Sequence, residues 1–450
     1  MKKTILFSFL LLLGFLSSKA QWIPQASGLR NTLIVDQIVT TSRSNAWATG
    51  EDTTSNTTPV QSYTRTIDSG RTWVTGQVPA SSSYNWSCLS AVDANTAWAM
   101  LYNSSGGGGI WKTTDGGATW AQQGQGIIFT NSASFPDVVH FWSSDSGFAL
   151  GDPIANVFEI YTSTDGGATW NKVPDANIPD AVGGEYGLTR GIYVLGNNVW
   201  CTTNNGRILH SADRGYTWTI LDTGYPSFQV DYVVFSDDKH GWTEVYIGGI
   251  QPTIGFLSTD DGGTTWNLVN YTGIYNYFGG MAYVPKTTST LVSCGFDINT
   301  GISGSSYSMD GGLTWITIDQ GILYNSVSFY DNVTGYTGGI SQSDSSGGIY
   351  KYAGSFVATG INNINTDAFK LTAYPNPGNG LFYVSFDADN YKPVNLEITD
   401  ALGKVVLKTT YRDKSQLWQR TINLSNLSKG LYFMNVENNG NRSIQKLIIQ

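Results

Sequence analysis

Thr66-Ile67-Asp68-Ser69-Gly70-Arg71-Thr72-Trp73 is the first of six copies of one eight-residue phrase in this 450-residue chain. The others run Thr113–Trp120, Ser163–Trp170, Ser211–Trp218, Thr259–Trp266 and Ser308–Trp315, all of the form Ser/Thr-x-Asp-x-Gly-x-Thr-Trp. Successive tryptophans are 47, 50, 48, 48 and 49 residues apart. A period of that size marks a supersecondary unit that cannot bury its apolar face alone and must stack on its neighbours.

Each position of the phrase has a use in a tight turn. Asp and Ser/Thr oxygens accept hydrogen bonds from turn amides, Gly adopts a backbone conformation that a Cβ disfavours, and Trp anchors the returning strand. Asp68, Asp115, Asp165, Asp213, Asp261 and Asp310, with Trp73, Trp120, Trp170, Trp218, Trp266 and Trp315, therefore read as structural, since no enzyme needs six copies of one acid. In the fifth copy, Ser258-Thr259-Asp260-Asp261-Gly262-Gly263 also admits a register one residue earlier.

A looser repeat lies between the boxes: a turn, then a short strand carrying Trp47, Trp98, Phe148, Trp200, Trp242 or Tyr336, with a degenerate copy at Leu291–Gly295. Each unit thus has an inner strand, this aromatic strand, a third strand leading into the box and an outer strand beginning at the box Trp. Four strands per unit is a propeller blade. The seventh unit, about Asn325 to Tyr352, lacks a box and an outer strand. Gln21–Leu29 matches the Thr119–Ile127 spacing and is expected to supply that strand, removing two open edges. The expectation is an all-β chain with seven blades, rather than six or eight, followed by a small antiparallel β-sandwich. A content of 13% charged residues and 52 glycines agrees with a turn-rich all-β protein.

The repeated phrase resembles the Asp-box, or bacterial neuraminidase (BNR), repeat. Kelch blades lack the following Thr-Trp, and WD40 blades need Trp-Asp dipeptides that are absent.

Residues 1–20, with Lys2 and Lys3 before an apolar run and Ser18-Lys19-Ala20 after it, have the plan of a secretory signal peptide. No other stretch approaches the length of a membrane-spanning helix. Cys88, Cys201 and Cys294, one in each of three units, read as buried free thiols. His140, His210 and His240 are scattered, and the sequence suggests no metal and no cofactor.

The repeat ends by residue 354; residues 355–370 read as a linker and 371–450 as a separate domain of alternating strands and turns. Tyr374-Pro375-Asn376-Pro377, Asp400-Ala401-Leu402-Gly403, Gly430-Leu431-Tyr432 and Lys446–Gln450 closely resemble the sorting domain of the type IX secretion pathway, an immunoglobulin-like β-sandwich. That resemblance implies export from a Bacteroidetes-type bacterium, through the periplasm, with residues 371–450 engaging the secretion machinery and the product released or surface-attached.

Lys+Arg against Asp+Glu count 12 to 27 over residues 21–364, net −15, and 10 to 7 over residues 365–450, net +3. So acidic a propeller repels nucleic acid and favours neutral or cationic partners.

In a propeller the box turns occupy one face. The opposite face collects the loops between second and third strands, with Glu51, Asp52, Asp152, Glu244, Asp297 and Asp344, and the inter-blade loops, with Asp137, Glu185, Arg190, Asp231, Tyr84, Trp86, Tyr186, Tyr225 and Tyr275. The longest connection, Asn171–Arg190, exceeds what a plain link needs. Of these residues, Glu51, Asp52, Asp152, Glu185, Tyr186, Arg190, Asp231 and Glu244 are the candidate binding set. Acids beside aromatic rings suit sugars, and an acid–carboxylate pair cleaves glycosidic bonds; Asp152, Glu185 and Glu244 are the catalytic candidates, each with an alternative role in capping a turn or facing solvent.

Asp-box propellers include sialidases, xyloglucanase-like hydrolases, sortilin-type receptors and photosystem II assembly-factor-like proteins. Sialidases hold their substrate with three arginines; of the propeller's arginines, Arg65, Arg71, Arg207 and Arg214 lie in or beside boxes, leaving Arg30, Arg43 and Arg190, and no Arg-Ile-Pro segment lies near the N-terminus. Xyloglucanase-like enzymes use two propellers where this chain has room for one. The single ring resembles the assembly-factor-like group most, which implies protein binding. The expectation is a monomeric, exported or surface-displayed propeller that binds a polypeptide or neutral glycan; the alternative is a glycoside hydrolase acting on a neutral polysaccharide.

Overall fold

The computed structural model describes residues 21–450 except 53–58, 104, 227, 248–252, 298, 344–345, 357–370, 388–391, 401–402, 413–416 and 439–440. The signal-peptide segment, Asp344, most of the linker, and Ala401 and Leu402 of the sorting motif lie outside the described residues. The chain forms two compact units, Met1–Val357 and Ala358–Gln450.

Among the described residues the first unit is seven blades of antiparallel strands; Ile34 opposite Ile340 bridges blades 1 and 7 into one eight-stranded sheet, and Thr272–Gly273 adds a short parallel strand outside blade 6. Blade 3 is representative: Pro136–Phe141 inside, then Gly147–Ile154, Val157–Ser163 and the outer Asn171–Lys172. Blade 7 is built from both ends of the repeat region. Its strands Tyr324–Asp331, Thr334–Ser343 and Ser346–Tyr352 are completed by Trp22–Ala26, with Trp22 opposite Tyr352 and Ala26 opposite Gly348. Trp22 is 3% exposed and donates its indole N–H to Ser305 Oγ of blade 6 at 2.8 Å. Inner strands of successive blades adjoin around the whole ring, and Tyr324–Asp331 adjoins Leu33–Thr40 of blade 1.

The box phrase behaves alike in all six copies. The Thr before Trp donates its backbone N–H to the Asp carboxylate at 2.9 Å and its hydroxyl at 2.6–2.7 Å. The leading Ser or Thr hydroxyl donates to the same carboxylate and accepts the Gly N–H. In the fifth copy Thr259 and Asp261 make these bonds, which selects the later register. Gly70 and its equivalents sit at φ near +80 to +96, where a Cβ would be strained.

The box tryptophans then fill the seams between blades. Trp120 meets Trp47 of blade 1 edge-on, Trp218 meets Phe148 of blade 3, Trp315 meets Phe256 of blade 5, and Trp73 meets Tyr336 of blade 7. A turn that fixes its own Trp is therefore also the mortar between neighbouring sheets.

The second unit has one sheet of Thr372–Tyr374, Leu381–Asp387 and Leu417–Asn423 and another of Val405–Tyr411, Val394–Asp400, Gly430–Asn438 and Asn441–Ile449. Phe382, Val384, Ile398, Trp418, Met434 and Leu447 form the core between them, each at most 1% exposed.

Candidate functional site

The face opposite the box turns is shaped by an irregularity repeated in every inner strand. Pairing with the second strand slips by one residue at Asp36, Ser87, Asp137, Asp231, Gly279 and Asn325 in blades 1, 2, 3, 5, 6 and 7. In blade 4 the slip is wider, between Gly187 and Ile192. A bulge turns a side chain out of its alternating register and re-aims it, and a cavity of about 320 Å³ is lined by Asp36, Thr189, Arg190, Asp231, Gly279 and Asn325 from five of these slips.

Arg190 is the centrepiece. It lies within the inner strand Gly187–Leu195 at φ +62, and its guanidinium crosses to the Asp36 carboxylate of blade 1, which also accepts Asn325 Nδ2–H at 3.0 Å. Arg190 lines two further cavities. One, of about 310 Å³, is bounded by Glu51, Asp52, Asn85, Trp86, Tyr102 and Phe135; the other, of about 380 Å³, by Tyr193, Thr202, Tyr232, Met281 and Phe329 among others. Asp231 accepts from Gln229 Nε2 at 2.5 Å, and burial raises its carboxyl to about 6.

The structure brings together Glu51, Asp52, Arg190 and Asp231 around these cavities, with Trp86 on one wall. Trp86 donates its indole N–H to Ser62 O at 3.1 Å, and Tyr84 stacks edge-on against Trp111. Tyr186 is 45% exposed on the loop before blade 4, and Tyr225 packs against Phe228.

Several placements differ from the sequence expectation. Arg190, Asp231 and Asp137 belong to inner strands rather than inter-blade loops, and Glu51, Asp52 and Asp152 to the ends of second strands. Glu244 lies inside the second strand Gly241–Ile247 and is 1% exposed; Tyr275, itself fully buried, donates its phenol O–H to Oε1, while Oε2 has no donor among the described residues. Burial pushes the Glu244 carboxyl to about 8. Asp297 closes its own turn, accepting the Thr300 N–H at 2.7 Å and hydroxyl at 2.8 Å. Arg30, Arg43 and Arg190 are not unengaged: they pair with Asp52 at 2.8 Å, Asp331 at 2.7 Å and Asp36.

The long connection Asn171–Arg190 is pinned rather than loose. It holds a one-turn 3₁₀ helix, Asp175–Asn177, the Asn177 carbonyl accepts Trp218 N–H at 2.9 Å, and Arg207 donates to Asp180 O at 3.2 Å. Glu185, 6% exposed, accepts from Arg207 Nη1 at 2.9 Å, Thr203 Oγ1 at 2.9 Å and Val182 N at 3.0 Å. Asp152 accepts Gly187 N–H at 3.0 Å and meets Asp137; burial raises it to about 6. Of the three acids singled out for catalysis, Glu185 is thus saturated by donors, Glu244 is buried against Tyr275 of the connection into blade 6, and Asp152 faces another blade-3 acid.

Cys88, Cys201 and Cys294 are buried free thiols, and no cluster of three potential metal ligands occurs among the described residues.

Residues 372–450 match the family described as the secretion system C-terminal sorting domain. A xyloglucanase from Paenibacillus sp is 25% identical over 245 residues, 46% of this chain but 23% of that protein's length. Among solved structures, YCF48 bound to D1 peptide aligns with TM-score 0.52 and 20% identity over 74% of this chain and 97% of its own. The GH74 enzyme of Niastella koreensis aligns with TM-score 0.50 and 14% identity over 94% and 73%. At such identities the structural likenesses show the fold. The chain is an Asp-box seven-bladed β-propeller carrying a type IX sorting domain. It is secreted or attached to the outer surface, its tail serves the secretion machinery, and no described helix is long and apolar enough to cross a membrane.

Proposed function

We propose that the protein is an exported binding protein whose propeller, residues 21–354, recognises an extended polypeptide at the cavities around Arg190, after loss of residues 1–20 and delivery by the domain 371–450. The observation that carries this reading is the set of bulges, which aims Asp36, Thr189, Arg190, Asp231 and Asn325 into one cavity opposite the box turns. Amide N–H groups suit Asp231 and Asn325 Oδ1, and backbone carbonyls suit the guanidinium N–H groups of Arg190. The likeness to YCF48 bound to a peptide supports the polypeptide class, and the net charge of −15 over residues 21–364 favours neutral or basic segments.

The alternative is a glycoside hydrolase on a neutral polysaccharide, or a lectin for one. The xyloglucanase likeness and the rings of Trp86 and Tyr102 beside Glu51 favour it. Against catalysis stand the burial of Glu244 and the ion pair of Glu185, which leave Asp152 without an exposed partner among the three candidates.

A peptide array and a glycan array probed with the full exported chain, alongside reducing-sugar release from xyloglucan, separate the readings. Peptide binding without turnover is expected. Turnover abolished by Asp152→Ala overturns it.

A further inference from the structure

Asp137 is the bulged residue of blade 3's inner strand, is fully buried, and receives no donor on either oxygen from any described residue. The group it meets is the carboxyl of Asp152, whose Oδ1 accepts the N–H of Gly187, the first residue of blade 4's inner strand, at 3.0 Å. Asp137 is packed onto the same glycine: a β-carbon at position 187 would lie 2.4 Å from its Oδ2. Two carboxyl groups therefore converge on one glycine at the seam between blades 3 and 4, Asp152 on its N–H and Asp137 on its Cα.

The other ionisable groups facing this point do not neutralise it. From the third strand of blade 3 come Glu159 and Tyr161, whose phenol donates to Glu159 Oε1 at 3.0 Å, and Glu159 adds negative potential at Asp152. Cys88 of blade 2 and Cys201 of blade 4 are buried thiols, raised by burial and so neutral. Glu185, two residues before Gly187, is matched by Arg207. With Arg207 engaged and no other cation among these groups, a proton is what remains to hold two carboxyl groups in contact.

We propose that Asp137 and Asp152 form a proton-sharing acid–carboxylate couple that locks the seam between blades 3 and 4, and that loss of its proton loosens the strand start at Gly187 on the candidate binding face. In the locked state one carboxylic O–H donates to the other carboxylate, which accepts the Gly187 N–H. When a solvent base removes that proton, two like charges remain in a desolvated space and the pair separates. Burial supports the sense of the device, placing Asp152 near 6 and Asp137 well above the usual carboxylate range. Folded-state proton affinity above the unfolded value means the stabilisation is complete at acid pH and is lost as pH rises.

The test is Asp137→Asn in the full chain, because an amide N–H can stand in for the shared proton. Thermal unfolding is followed from pH 5 to 8.5 with hydrogen exchange at Gly187. The wild type is expected to lose protection at Gly187 by up to about tenfold per pH unit for the one proton released. Asp137→Asn is expected to flatten that profile and to melt above the wild type at pH 8. Parallel profiles, with no gain at pH 8, overturn the proposal. Should Asp137→Asn not fold, infrared titration of the wild type decides: a protonated-carboxyl band persisting above pH 6 and altered in Asp152→Asn supports the couple, and its absence defeats it.

Discussion

Both faces of the propeller are studded with aspartates, yet their carboxyl groups are held in opposite states. On the box face Asp68 and Asp261 are held at about 2, because the N–H and then the hydroxyl of Thr72 and Thr265 stabilise the charged form. On the other face Asp152 and Asp231 are raised to about 6 and Glu244 to about 8, because burial removes water and supplies few donors in return. The carboxyl group is the same, and burial together with the supply of N–H and O–H groups decides its chemistry. Box acids are ionised masonry, while near the bulges the buried Asp137 and Glu244 keep oxygens that no described donor fills and Asp36 is matched by Arg190 and Asn325.

The comparison breaks most visibly at a seam. Trp218 is 5% exposed, packs on Phe148 and donates to Gly215 O at 2.9 Å. Trp218→Ala is expected to cost about 3–5 kcal/mol, measured by denaturant unfolding; a cost under ~1 kcal/mol would mean the box does not mortar the blades.

Next in size is Glu244→Gln. A carboxyl whose folded value of about 8 exceeds the ordinary 4.5 stabilises the fold fully below pH 4.5, and that stability is lost as pH rises through 8. The wild type should decline across this window by at most about 1.4 kcal/mol per pH unit, and the variant should decline less. Identical pH profiles would show Glu244 to be ionised throughout.

Asp68→Ala reverses the sign. Its stabilisation is present above the unfolded value of about 3.9 and disappears as pH falls through 2. The variant should melt below the wild type at pH 7 and level with it near pH 2; a deficit that persists at pH 2 would assign the loss to something other than the carboxylate.

The smallest effect belongs to Glu51→Gln at the rim of the Trp86 cavity, where a surface change should move stability by less than ~0.5 kcal/mol. A larger change would place Glu51 in the framework.

Much of this architecture is written in the chain. Six in-phase boxes give the blade period, and the match between Gln21–Leu29 and Thr119–Ile127 anticipates the pairing of Trp22 with Tyr352. The bulges were not legible, because inner strands such as Leu33–Thr40 and Pro136–Phe141 are buried on both faces and offer no clean alternation for a slipped residue to interrupt. A trace exists: Asp36, Ser87, Asp137, Thr189, Asp231 and Asn325 each precede the second-strand aromatic, from Trp47 to Tyr336, by eleven residues. Glu244 lies inside its strand rather than on a loop, which was not legible for a related reason, since nothing in Gly241–Ile247 distinguishes a buried polar residue from the start of a loop.

The most direct measurement is affinity selection of a random peptide library on the full exported chain, repeated with Arg190→Gln and with the box variant Asp115→Asn. Peptides that bind the wild type and Asp115→Asn alike but lose at least about tenfold in affinity to Arg190→Gln, a difference of about 1.4 kcal/mol, would place recognition at the bulge-lined cavities. Equal binding by Arg190→Gln, or loss confined to Asp115→Asn, would put recognition on the box face and contradict the division between the two.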